Sequence, residues 1–157
     1  RSRGLGDVYK RQGVNVYIPR HSELHKMVKN LDVSMIPLEE TTRIVKDVYV
    51  VGELRSGGLW EHALAIRHDD RMILLVGCSH PGVDNFLRKA INDVGGEPYL
   101  VVGGFHGPTR KALDFLIEHV VWKIYPLHCS GNEAIKYIRD KAPQKLGIGG
   151  AGLILRM

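Results

Sequence analysis

Three times in its second half the chain repeats one design: a short apolar run ends in small residues and a histidine, and a helical pattern follows at once. The segments are Leu75-Val76-Gly77-Cys78-Ser79-His80, Val102-Gly103-Gly104-Phe105-His106 and Pro126-Leu127-His128-Cys129-Ser130-Gly131. Apolar runs that alternate with helix-period segments predict an α/β unit with a parallel sheet. In such sheets functional groups gather at the carboxyl ends of strands, where side chains share one crevice. The glycines allow close backbone approach, and the helix N-termini add oriented N–H groups that favour anions. Ser130 with Glu133 also fits a capping box, which would fix the start of the last helix.

The full pattern can be read around these junctions. Strand Ile73–Val76 precedes helix Pro81–Val94, strand Tyr99–Val102 precedes helix Thr109–Val120, and strand Lys123–Leu127 precedes helix Gly131–Lys141. Upstream, Glu61–His68 alternates, Asp69-Asp70 turns and Met72–Val76 runs back, which reads as a hairpin. Arg43–Leu54 is rich in β-branched residues and ends near the turn Ser56-Gly57-Gly58. Val14–Ile18 reads as a short strand, and Leu24, Met27, Val28 and Leu31 give His21–Leu31 helical spacing. A looser stretch holds Pro37 and Glu39-Glu40. Lys145–Leu155, interrupted by glycines, reads as one or two closing strands. This is one α/β unit, and its sheet needs a further layer to cover it.

The formal charge of +5 invites a nucleic-acid reading. Four of the 22 basic and one of the 17 acidic residues lie in positions 1–12, which leaves 18 against 16 elsewhere. Those twelve residues have no apolar periodicity. Asp7–Gln12 back-translates naturally to the transposon end that is ligated to fragments in sequencing libraries, so we read residues 1–12 as an adapter artefact. The remaining chain carries no phosphate-binding stripe, and no nucleic-acid partner is expected. No apolar run approaches the roughly 20 residues that cross a bilayer, and no secretory leader is visible. The expectation is a soluble cytoplasmic protein. Two cysteines are too few for a disulfide framework, but each stands next to or near a histidine.

Imidazole nitrogen suits Zn²⁺, Fe²⁺ and Mn²⁺, and thiolate suits Zn²⁺ and Fe²⁺. Histidines converging from separate strand ends with a thiol or a carboxylate would make such a site. His21, His25, His62, His68 and His119 read instead as packed or solvated rings, with His119 late in a helix where its charge favours the dipole.

Gly77-Cys78-Ser79-His80-Pro81-Gly82-Val83, Gly103-Gly104-Phe105-His106 and His128-Cys129-Ser130-Gly131 resemble the metallo-β-lactamase superfamily. The branch they resemble is the dihydropterin-6-methyl-4-(ribofuranosyl)aminobenzene-5′-phosphate synthase-like group. Gly52-Glu53-Leu54 and Glu61-His62-Ala63-Leu64 look like its preceding stretch. The resemblance implies an αββα sandwich with a one- or two-metal site between its sheets. The superfamily's His-x-His-x-Asp-His loop has no counterpart here, so residues 13–157 are expected to form the C-terminal half of that domain. A fragment of this kind is expected to be inactive alone.

The resemblance also implies a site. His128 resembles the final metal-ligand histidine, and Cys78 occupies roughly the place of a bridging Asp. Either Cys78 or His80 is then a ligand, with His80 favoured. His106 would sit at the rim as a catalytic acid or base, or as a third ligand. Ser79 and Ser130, with Arg110 and Lys111 at the next helix start, would contact substrate. The implied cofactor is one or two divalent ions, zinc first and iron or manganese next. The implied activity is a hydrolase or an alkyl-transferring synthase on a small phosphorylated molecule, in a protein free of membrane and compatible with homo-oligomers. The rival reading is a non-catalytic ligand- or partner-binding module of the same fold.

Overall fold

The computed structural model describes residues 13–27 and 33–155, so the adapter reading of residues 1–12 falls outside it. In chain order the elements are β1 (Val14–Pro19), α1 (Leu24–Met27), β2 (Val33–Leu38), β3 (Thr42–Val45), β4 (Val48–Ser56), β5 (Leu59–His68) and β6 (Arg71–Val76). They continue with α2 (Val83–Asp93), β7 (Glu97–Gly104), α3 (Arg110–His119), β8 (Lys123–Leu127) and α4 (Gly131–Lys141).

Strands β3 to β8 form one six-stranded sheet in sequence order. The first four are an antiparallel meander, and β6, β7 and β8 are parallel. The change of direction follows from connection length. Asp69-Asp70 is short enough only for a hairpin, with Asp69 at φ 52°, whereas α2 and α3 are the crossovers that parallel pairing requires.

Period-2 alternation and helical periodicity meet in one core. Val51, Ala63, Ala65, Met72, Leu74, Val101 and Ile124 point from the sheet toward the helices. They meet Val83, Phe86, Leu87 and Ala90 of α2, Leu113 and Leu116 of α3, and Ala134 and Ile138 of α4. These helical positions are spaced at three and four residues, which makes one apolar stripe per helix. Fully burying a side chain such as Phe86 or Leu116 stabilises the fold by roughly 1.5–3 kcal/mol.

The other layer is a two-stranded parallel sheet of β1 and β2, and β1 packs against β4 and β5. His62, one residue before helix-facing Ala63, points away from the helices, and its Nε2 lies 3.0 Å from the Leu38 carbonyl at the end of β2. Helices, large sheet and small sheet are therefore three successive layers.

The structure departs from expectation at three places and refines it at a fourth. Val33–Leu38, read as a loose stretch with Pro37, is β2, which among the described residues pairs only with β1 and so tolerates a residue with no N–H. The helix expected over His21–Leu31 is described only as α1, Leu24–Met27, with residues 28–32 outside the described part. Arg43–Leu54, read as β-rich, is indeed strand, divided into two where Asp47 turns the chain at φ 61°. Lys145–Leu155 forms no strand. A 3₁₀ turn over Pro143–Lys145 leads to a single parallel bridge between Leu146 and Ile124. The glycines there serve contact: a Cβ on Gly147 would lie 2.4 Å from the Tyr125 ring.

Candidate metal centre

The carboxyl ends of β6, β7 and β8 lie side by side at one edge of the sheet, because the three strands are parallel and adjacent. Each ends in a sharp turn with a non-glycine residue in the left-handed region: Ser79 at φ 51°, His106 at φ 40° and His128 at φ 49°. Such residues cost of order 1–3 kcal/mol each and persist only where surrounding structure holds them. Two buried hydroxyls supply that hold. Ser79 Oγ donates to the Gly104 carbonyl at 2.5 Å. Ser130 Oγ donates to the Leu127 carbonyl at 2.6 Å and accepts from the Phe105 N–H at 3.1 Å. A backbone bond from Gly104 N–H to the Gly77 carbonyl at 2.8 Å joins the first two turns.

Ser79 and Ser130 are 1% and 3% exposed, and their hydroxyls are engaged in holding the turns. The capping box is not made: Ser130 has no side-chain cap bond to α4, since its oxygen is already engaged by Phe105 and Leu127. α3 does have such a cap, with Thr109 Oγ1 accepting from Ala112 N–H at 3.1 Å.

Cys78, His128 and Cys129 converge above these turns, with one ligand atom of each within 4.8 Å of the others. In tetrahedral zinc sites the ligand atoms lie roughly 3.3–3.8 Å apart, so holding one ion would require these three to draw closer together. Two sulfurs and one imidazole nitrogen suit Zn²⁺, and three protein donors leave one coordination position open. The hydrogen bond with the Cys129 thiol, and then burial, push the Cys78 thiol above its ordinary range.

His80 is not a member of that donor group. Its Nδ1 is hydrogen-bonded to a Glu61 carboxylate oxygen, and its backbone N–H donates to the other oxygen at 3.2 Å. Its ring packs against that of His106, with centroids 4.0 Å apart. The two rings line a cavity of about 310 Å³ with Val83, Phe105 and Thr109. His106 is exposed at its rim. Arg110 and Lys111 are exposed at the start of α3, and the Arg110 guanidinium lies 5.9 Å from the Tyr137 ring, in the groove toward α4.

Sequence reasoning omitted two participants, Cys129 from the ligand set and Glu61 altogether. Adjacency to His128 marked Cys129, whereas Glu61 lies on a strand 19 positions before its partner and nothing local reveals the pairing. A second group stands elsewhere. Ligand atoms of His21, Glu39 and Glu53 lie within 4.8 Å of one another, and the Glu53 side chain is 2% exposed and bonded to both His21 nitrogens, backbone and Nδ1. His21 is thus held by a buried carboxylate. His62 is packed, and burial lowers its pKa below 6.5.

No family model matches the chain. It is 33% identical over 106 residues to the 7,8-dihydropterin-6-methyl-4-(beta-D-ribofuranosyl)-aminobenzene-5′-phosphate synthase of Methanocaldococcus jannaschii. It is 27% identical over 146 residues to an uncharacterized protein of that organism. These alignments cover 61% and 77% of this chain but 35% and 54% of the relatives, so the chain spans about a third to a half of their length. A solved structure described as a metal-dependent hydrolase of the β-lactamase superfamily is similar at a TM-score of 0.75 and 20% identity, covering 93% of this chain and 72% of that one. The fold is that of the metallo-β-lactamase superfamily.

Proposed function

We propose that this chain carries part of the divalent-metal centre of an enzyme, a hydrolase or a dihydropterin-type synthase acting on a small phosphorylated molecule. The observation that carries the reading is the convergence of Cys78, His128 and Cys129 at the parallel strand ends. Cys78 and His128 are assigned as ligands with Cys129 as the third. Zinc is the metal that two sulfurs and an imidazole favour. When bound, it supplies Lewis-acid polarisation of a substrate oxygen.

The neighbouring histidines are assigned the protons. Glu61 accepts from His80 Nδ1, which leaves Nε2 of that ring to take up a proton at the cavity. His106, its ring tilted against that of His80 and exposed, then acts as the acid, base or anion donor toward substrate. The backbone N–H groups at the start of α2 offer an anion the positive end of a helix of 11 residues beside the same cavity. Arg110 and Lys111, exposed at the start of α3, are assigned as further phosphate contacts.

Zinc stoichiometry and turnover on a panel of nitrophenyl phosphate mono- and diesters, measured on the protein with its full-length sequence, test the assignment. C78S and H128A variants are expected to weaken zinc at least tenfold. E61Q and H80Q are expected to keep zinc and lose turnover tenfold to a hundredfold. Undiminished zinc in a C78S/H128A double variant would eliminate the metal assignment. Zinc lost on H80Q alone would move His80 into the ligand set.

A further inference from the structure

The two cysteines of the chain stand 51 positions apart in sequence and meet in space. Their sulfurs lie within 4.8 Å of one another, and the Cys129 thiol is 3.8 Å from the Cys78 carbonyl. Cys78 follows β6 and Cys129 follows β8, so the contact passes over the end of β7, where Gly104 stands. A Cβ on Gly104 would lie 2.8 Å from Cys129 Sγ and 3.2 Å from the Cys78 Cα, and its absence is what lets the thiols meet. Both cysteines are free and half-buried, within reach of a small reagent.

We propose that Cys78 and Cys129 are a modification site, a dithiol that closes to an intrachain disulfide on reaction with a low-molecular-weight disulfide. One cysteine sulfur, as thiolate, attacks the reagent, forms a mixed disulfide and expels one small thiol. The second cysteine attacks the mixed disulfide, forms the Cys78–Cys129 bond and expels the other small thiol. The protein loses two protons and two electrons, and the reagent is reduced to two thiols. Closing the sulfurs to about 2.05 Å needs a shift of less than about 3 Å, within the reach of side-chain rotation. Closure takes both sulfurs out of the donor group and leaves His128 as its one remaining member, so oxidation would release the metal. This consequence rests on the proposed thiolate ligation, whereas the crosslink does not.

The experiment treats the full chain with graded oxidised glutathione, then alkylates it and reads intact mass and peptide maps. The expected result is loss of two hydrogens, both thiols disappearing together, and a crosslinked pair of peptides holding residues 78 and 129. C129S and C78S are expected to stop at a chain carrying one glutathione. Accumulation of doubly glutathionylated monomer, or of disulfide-linked dimers, would overturn the proposal. Prior loading with Zn²⁺ is expected to slow closure at least tenfold. Closure at an unchanged rate in zinc upholds the dithiol and overturns the ligand assignment; slow alkylation in zinc with no crosslink at any ratio does the reverse.

Discussion

Gly103 shows how closely one position can be constrained. It pairs in register with Val76, and a Cβ there would lie 2.0 Å from the Val76 carbonyl oxygen, at a φ of 143°. Backbone cannot withdraw from backbone without parting β6 from β7. G103A is expected to cost about 3 kcal/mol or more in denaturant melts and to lose the metal group with it, since Cys78 and Cys129 are placed by the same strand ends. Gly77 offers a contrast. Nothing lies within 4 Å of a Cβ built there, so G77A should shift stability by less than about 1 kcal/mol. A G103A protein of unaltered midpoint would refute the close-approach argument.

At the scale of elements, α3 and α4 begin after similar turns but are held differently. Thr109 caps α3 through its side chain, and T109A should cost about 1 kcal/mol, spread over the helix. Ser130 precedes α4 without capping it and instead accepts the Phe105 N–H. S130A would strand that buried donor, a loss of about 1–3 kcal/mol, and hydrogen exchange should accelerate at the end of β7 before it does along α4. Faster exchange confined to α4 would show a capping role after all. The capping-box pattern was present in sequence at Ser130 and Glu133, but the Ser130 hydroxyl instead donates to Leu127 and accepts from Phe105, within the turn beside it.

At the scale of the whole molecule, His62 reports on the layering. Burial, chiefly, holds its pKa below 6.5, against the opposing pull of the Leu38 carbonyl and of Glu53. Above the ordinary value neither folded nor unfolded chain is protonated there. As pH falls below it, the unfolded chain takes up a proton that the folded one refuses, so stability declines until the folded value is reached. H62Q should therefore show a smaller drop in urea midpoint between pH 7.5 and 5.5 than the parent protein, whatever its absolute stability. Parallel profiles would mean that the ring is not enclosed between the sheets.

The sequence by itself determined the β/α alternation from Ile73 to Lys141 almost to the residue: β8 and α4 match the expected bounds, and α2, β7 and α3 differ by a few positions at their ends. That signal is local, since apolar period, turn residues and helix starts are all written within a few neighbours. It also determined that three histidines end three adjacent turns. Only the tertiary structure decided that one of them, His128, stands with Cys78 and Cys129 in one candidate donor group. Cys78 and Cys129 are brought together across β7, and Glu61 is brought to His80 by hairpin register, contacts between positions 51 and 19 apart. Likewise β2 exists because β1 lies alongside to pair with it, and the glycine-rich tail stays irregular because Tyr125 fills the space beside it. Propensity acts within a segment, whereas ligand sets and layers depend on which segments meet, and that is settled by burial and backbone pairing over the whole chain.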